Sequence, residues 1–181
     1  MLDRLARRRD RNAAAHALYV ALVEQARAPA FYDAGGVPDS LDGRFDMIVL
    51  HAYLVMRRLG TAGEPGTALA QALFDVMFSD MDQNLRELGV GDLAVGRRVK
   101  TMARSFYGRV KAYDEGLARP DDTALTAALS RNLYATVEVA PEAVAAMAGY
   151  LREAARTLAA QPLAELMAGR PRFPAAPLAG A

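Results

Sequence analysis

The stretch FSDMDQNLRELGVGD, from Phe78 to Asp92, decides how the chain is read. Asp80, Asp82 and Asn84 stand at alternate positions, which is how a calcium loop of the EF-hand type begins. Such a loop needs glycine at its sixth position and a bidentate glutamate at its twelfth, where this chain has Leu85 and Gly91. As helix positions, Asp80 and Asn84 share a face while Asp82 points about 160° away, so the three do not converge as chelators. Asp82 and Arg86 are four residues apart in the favourable order, a solvated ion pair that contributes a few tenths of a kcal/mol. The stretch is the end of one helix, a tight turn at Gly89 and Gly91, and the start of another. Gly89 and Gly91 serve backbone geometry there, both favouring left-handed conformations.

Working outward, helical spacing dominates and no alternating apolar and polar segment suggests a sheet. A first helix carries Leu18, Leu22 and Val23 and ends at Pro29 and the loop AFYDAGGVP. Ser40 or Asp39 caps a second, RFDMIVLHAYLVMRRL, which is apolar around most of its girth and so needs neighbours on most sides. The third starts near Pro65 or Gly66 and runs to Leu88, with Gly89 ending it. Asp92 caps the fourth, whose stripe is Val95, Val99, Met102, Phe106, Val110 and Tyr113. Asp121 or Asp122 caps a fifth, and Pro141 opens a sixth through YLREAARTLAA. The expected fold is all-α, a single-domain bundle of about six helices with short loops. Residues 1–168 form the domain, and 169–181, GRPRFPAAPLAGA, form a flexible C-terminal tail.

Composition narrows the function. The chain has 181 residues, 52% hydrophobic and 24% charged, which fits one globular domain with a proper core. Lys and Arg number 22 against 21 for Asp and Glu, so no global attraction to nucleic acid or anionic lipid is indicated. There is no cysteine, which removes disulfides, thiolate nucleophiles and cysteine zinc sites, and the serines sit in no nucleophile-elbow context. His51 lies in an apolar helix without a second histidine or cysteine near it, so a hydrogen-bonded structural histidine is favoured over a metal or haem ligand. No metal, no cofactor and no enzymatic activity are expected. The arginine-rich N-terminus carries Asp3 and Asp10 and no serine, unlike a transit peptide, and reads as the first helix. The expected location is cytoplasmic, with peripheral attachment to the inner face of the cytoplasmic membrane left open.

Two features suggest a binding surface. Phe74, Phe78, Met81 and Leu85 follow one face of the third helix while Leu69, Leu73, Val76 and Met77 follow an adjacent one. Such a helix lies at the centre of the bundle or leaves apolar surface for a partner. The fourth helix carries Arg97, Arg98, Lys100, Arg104, Arg109 and Lys111 off its apolar stripe. That basic face either binds nucleic acid or a membrane surface, or it meets the acids of the third helix across the turn.

The runs GRFDMIVLHAYLVMRRL and ALFDVMFSDMDQNLRELGVGDLAVGRRVKTMARSFYGRVKAYDEGL, together Gly43 to about Leu117, resemble the ubiquinol cytochrome c chaperone family. The recognisable pieces are Arg44, Phe45, Asp46 and His51, then Phe78, Asp80, Met81, Asp82, Leu85 and Arg86, then Gly89, Gly91 and Asp92, and last Tyr107, Gly108 and Arg109. The resemblance implies a helical, non-catalytic assembly factor that binds newly made cytochrome b before it joins the ubiquinol cytochrome c oxidoreductase complex. Mitochondrial members work also with a small partner protein and the ribosome, while the alanine and arginine usage here suits a bacterium. With Lys100 of the basic helix added, these residues apart from the glycines are the expected client-binding set. Asp82 and Arg86 are expected at the exposed edge of an apolar patch made by Phe78, Met81 and Leu85, the core-and-rim pattern of a binding site.

Overall fold

Ser40 starts the helix on which the others pack: its Oγ accepts a hydrogen bond from the Gly43 N–H at 3.1 Å. In the computed structural model, which describes residues 2–176, that helix is α3 (Leu41–Leu59). It is buried around nearly its whole circumference from Phe45 to Val55, as its apolar girth requires. Before it come α1 (Leu2–Ala26) and a short helix α2 (Pro29–Asp33). After it come a 3-10 turn (Gly60–Ala62), α4 (Gly63–Glu87), α5 (Asp92–Leu117), α6 (Thr123–Asn132), α7 (Pro141–Ala160) and α8 (Leu163–Met167). No strand occurs among the described residues, and the chain forms one all-helical bundle with six helices of ten residues or more.

Helix α1 packs on α3 and α4, α5 lies against α4 and α6, and α7 closes over α3 and α6. The centre is therefore α3. Helix α4 buries Leu69, Leu73, Met77, Phe78 and Leu85 but leaves Phe74, Val76 and Met81 partly open. Arg58 of α3 fixes the far end of α7, donating to the carbonyls of Leu158 at 2.9 Å and Gln161 at 3.1 Å.

Helix boundaries differ from expectation at two places, each with a local cause. Pro29 begins α2 instead of only ending α1, and Phe31 of α2 is fully buried between His51 and Tyr150. Asp92 does not cap α5: Gly91 occupies the N-cap position and the Asp92 carboxylate is engaged by Arg86, a charge-assisted contact that competes with capping. At α6 both expected aspartates take part: Asp122 is the N-cap residue, and Asp121, two residues before the helix, accepts from the Thr123 N–H at 2.9 Å.

The expected flexible tail is packed as far as Ala176; residues 177–181 lie outside the described residues. Gly169, at φ +82°, ends α8 with the Arg170 N–H on the Glu165 carbonyl at 3.1 Å. Gln161 then holds the tail by accepting from the Arg172 N–H and donating to the Arg170 carbonyl. The Phe173 ring stands edge-on to His51 at 5.2 Å.

Candidate functional site: a groove at the ends of four helices

The turn between α4 and α5 sets the site. Gly89 sits at φ +80°, the Val90 N–H reaches the Leu85 carbonyl and the Gly89 N–H the Arg86 carbonyl, a complete Schellman motif. Gly91 is extended, at φ −63° and ψ 146°, so only the first of the two expected left-handed glycines is one. The reversal brings the start of α5 beside the end of α4. Together with the start of α3 and the end of α6, they enclose an open groove of about 660 Å³.

Each element contributes a different chemistry. From α4 come Met81, Asn84, Leu85 and Leu88, and from α3 come Leu41, Asp42, Phe45 and Asp46. Helix α5 supplies Arg97, Arg98, Thr101, Met102, Ser105 and Arg109, and Arg131 and Asn132 come from α6. Phe45 and Leu85 are buried in the floor, whereas Leu41 and Leu88 stand at the mouth 61% and 63% exposed. Large apolar side chains left open at a concave site are what a partner covers.

The floor also holds an ion pair. Arg109 Nη2 lies 2.8 Å from Asp46 Oδ1, with their side chains only 19% and 10% exposed. Burial pushes the Asp46 carboxyl up to about 7, against the pull of Arg109, and nearby Asp42 adds to the rise. The Arg109 Nε and the hydroxyl of Tyr113, one helical turn on, are buried without hydrogen-bond partners among the described residues. Burying two charges costs most of what their attraction returns, so this pair is weak evidence of a stability device.

A family model described as ubiquinol-cytochrome C chaperone matches residues 33–173, from the end of α2 through α8 into the tail. The chain belongs to this family. A crystal structure of the Cbp3 homolog from Brucella abortus is 37% identical, superposes with a TM-score of 0.82 and covers 96% of each chain. Ubiquinol-cytochrome-c reductase complex assembly factor 1 of Xenopus laevis is 29% identical over 120 residues, 66% of this chain and 60% of that protein. Its Homo sapiens counterpart is 28% identical over 121 residues, 67% of this chain and 40% of that protein. The chain thus spans less than two thirds of the length of these assembly factors. The family match runs past Leu117, where the recognisable sequence ended, and takes in the alanine-rich helices α6 and α7.

Within this chaperone fold the expected site residues divide. Phe45, Asp46, Met81, Leu85 and Arg109 meet in the groove. His51 does not: it is fully buried where α3 meets α7, between the Met47 carbonyl and Tyr150. Phe78 belongs to an aromatic cluster with Phe74 at 4.5 Å and Phe106 at 6.2 Å, on which the 61% exposed Tyr107 rests. Asp80 turns toward α1, accepting from the Tyr19 hydroxyl at 2.6 Å and the Asn84 amide at 2.9 Å. Asp82, Arg86 and Asp92 form one exposed cluster over the turn, Asp82 lying 2.6 Å from Arg86. Arg44 pairs with Asp39 on the surface, and Lys100 is exposed on α5.

The acids of α4 do not face the bases of α5. The one ion pair between those helices joins Arg86 to Asp92, with the charges the other way round, while Arg109 goes to α3. Sequence reasoning missed Leu41, Leu88, Met102 and Arg131 as groove residues. Leu41 follows a cap and Leu88 precedes a terminating glycine, and an apolar residue at an open helix end is the signal that could have found them.

Proposed function

We propose that this chain is a non-enzymatic chaperone for assembly of the ubiquinol cytochrome c oxidoreductase complex, holding newly made cytochrome b through an apolar segment laid in the groove. The observation that carries this is the groove itself: a buried apolar floor, two leucines exposed at its mouth and a polar rim, in a member of a chaperone family. Apolar spans of a newly made membrane protein need such cover until their partners arrive. The names of the related assembly factors support the complex as the destination. Among the described residues no helix is long and apolar enough to cross a membrane. A small partner protein or the ribosome are further contacts for copurification to identify.

Leu41→Asp with Leu88→Asp tests the proposal, because both side chains are exposed and the fold does not depend on them. The tagged parent, isolated from its own membranes, should bring cytochrome b with it, and the double variant should not. Equal recovery removes the groove from consideration as the client site.

A nucleic-acid or membrane-binding role would rest on Arg97, Lys100 and Arg104, which share the outer face of α5. Lys111 continues that face but lies 3.9 Å from Glu115, and Arg109 points to the other side of the helix, to Asp46, so the face is short and partly neutralised.

A further inference from the structure

The groove's charge is unevenly placed. Arg97, Arg98 and Arg131 line it from α5 and α6, all exposed, and their guanidinium groups make no ion pair or hydrogen bond among the described residues. Some arginines elsewhere are matched, Arg44 with Asp39, Arg57 with Asp114, Arg152 with Asp122 and Arg172 with Glu165, and others, such as Arg104 and Arg119, are unpaired among the described residues; what sets the groove apart is that three unpaired ones line a single concave site. The acids lining the groove, Asp42 and Asp46, are both on the α3 bank, and Asp46 is taken by Arg109. One bank is thus a row of free guanidinium groups, in a chain whose formal charge is only +1.

We infer that the groove takes a peptide segment with one apolar face and carboxylates along its flank, the apolar face on Phe45, Met81, Leu85 and Met102 and the carboxylates toward Arg97, Arg98 and Arg131. This rests on the client-binding proposal above and adds the chemistry of the client segment. Guanidinium forks match carboxylates in geometry as well as charge, so they fix the orientation of the segment and reject one with basic flanks. An anionic lipid surface offers the same charge but fits less well. The apolar floor is recessed, Phe45 and Leu85 being 7% and 6% exposed, and a flat surface would meet Asp42 on the opposite bank.

The test uses the full chain and matched synthetic helices, with one leucine face and glutamate, glutamine or lysine on the flank, binding being read by fluorescence anisotropy. The glutamate helix should bind about tenfold more tightly than the glutamine one, the size that a few exposed charges supply, and the lysine helix more weakly still. High salt should narrow these differences. Arg97→Glu with Arg98→Glu and Arg131→Glu should reverse the order. Equal binding of the glutamate and lysine helices, or an order unchanged in the triple variant, overturns the inference. So does binding to phosphatidylglycerol vesicles that is lost in the triple variant while the peptides bind alike. Recovery of cytochrome b separates this idea from the one beneath it. Loss in both the leucine double variant and the arginine triple variant supports both; loss in the leucine variant alone keeps the client proposal and overturns the acidic flank. Loss in neither overturns the client proposal itself.

Discussion

His51 and Tyr150 are 99 residues apart in the chain and meet between α3 and α7, with Nε2 and the phenol oxygen at 2.7 Å. The proton positions follow from the neighbours. His51 Nδ1 lies 2.8 Å from the Met47 carbonyl, which can only accept, so Nδ1 carries the hydrogen and Nε2 accepts from the Tyr150 hydroxyl. Gln25 Nε2 donates to the same phenol oxygen at 3.1 Å, completing a polar chain from α1 through α7 to α3. In such a chain each group satisfies the next.

Removing one link should therefore cost more than an average hydrogen bond. Tyr150→Phe leaves the buried His51 Nε2 without a donor, and the expected loss is about 1–3 kcal/mol in urea unfolding. A midpoint and slope equal to the parent's would mean that water takes the place of the hydroxyl and that the link is dispensable.

The pH dependence should show two buried groups working in opposite directions. Asp46 is pushed up to about 7 from an ordinary 3.8, so its share of stability is full below about 3.8 and is lost as pH rises through about 7. His51, fully buried, is held down to about 4 from 6.5, so its share is present above about 6.5 and is lost as pH falls through about 4. Across the shared window the slopes oppose each other, and each single variant should expose the other group. Asp46→Asn should gain stability as pH rises from 4 to 6.5, and His51→Phe should lose stability as pH rises from 4 to 7. Parallel pH profiles of the two variants would contradict this.

Gly89 and Gly91 should behave differently although they are two residues apart. A side chain at Gly89 meets no neighbour within 4 Å, so the cost of Gly89→Val is the left-handed backbone itself, about 1–2 kcal/mol. Gly91 is already in a region open to any residue, and Gly91→Ala should change stability by less than about 0.5 kcal/mol. Thermal melts of the two variants decide it, and equal shifts would refute the Schellman turn.

Residues that signal through local chemistry were readable in the sequence. The girth of α3, the stop at Gly89, the cap at Ser40 and the start at Pro141 all appear where their side chains demand. Single-turn helices such as α2 offer too few residues for a period, so Phe31 was lost among loop residues. The groove escaped for another reason: it is assembled from the ends of four helices, and no spacing links Leu41 to Leu88 or Arg97 to Arg131. Family resemblance named Phe45, Asp46, Met81, Leu85 and Arg109 without indicating that they meet. It also named His51, whose partners in α7 and the tail lie beyond the recognisable stretch.

The tail illustrates how composition misled. Proline, alanine and glycine suggested disorder, yet Phe173 reaches His51 and the Pro174 carbonyl accepts from Gln25 at 3.0 Å. Phe173→Ala should lower stability by about 1–3 kcal/mol, less than for a fully buried phenylalanine because Phe173 stays partly exposed. Unchanged unfolding would show that the tail only rests on the core.

Asp82 and Arg86 carry the most direct contest between sequence and structure. Sequence placed them at the edge of the client site; the structure puts them over the α4–α5 turn, where Arg86 touches both Asp82 and Asp92, with side chains 37% and 48% exposed for Asp82 and Arg86. Neither lines the groove, although Leu85 and Leu88 beside them do. Reversing both, Asp82→Arg with Arg86→Asp, keeps an attraction within the helix in its less favourable order but sets the new carboxylate against Asp92. The expected cost is under about 1 kcal/mol, as for exposed pairs generally. Cytochrome b recovery should stay within about twofold of the parent, because a charge outside the groove affects encounter more than retention. The leucine double variant, assayed beside it, should lose recovery while melting normally. If the charge reversal abolishes recovery without unfolding the chain, the client contacts the turn as well as the groove, and the site extends along α4 to the residues that the sequence singled out.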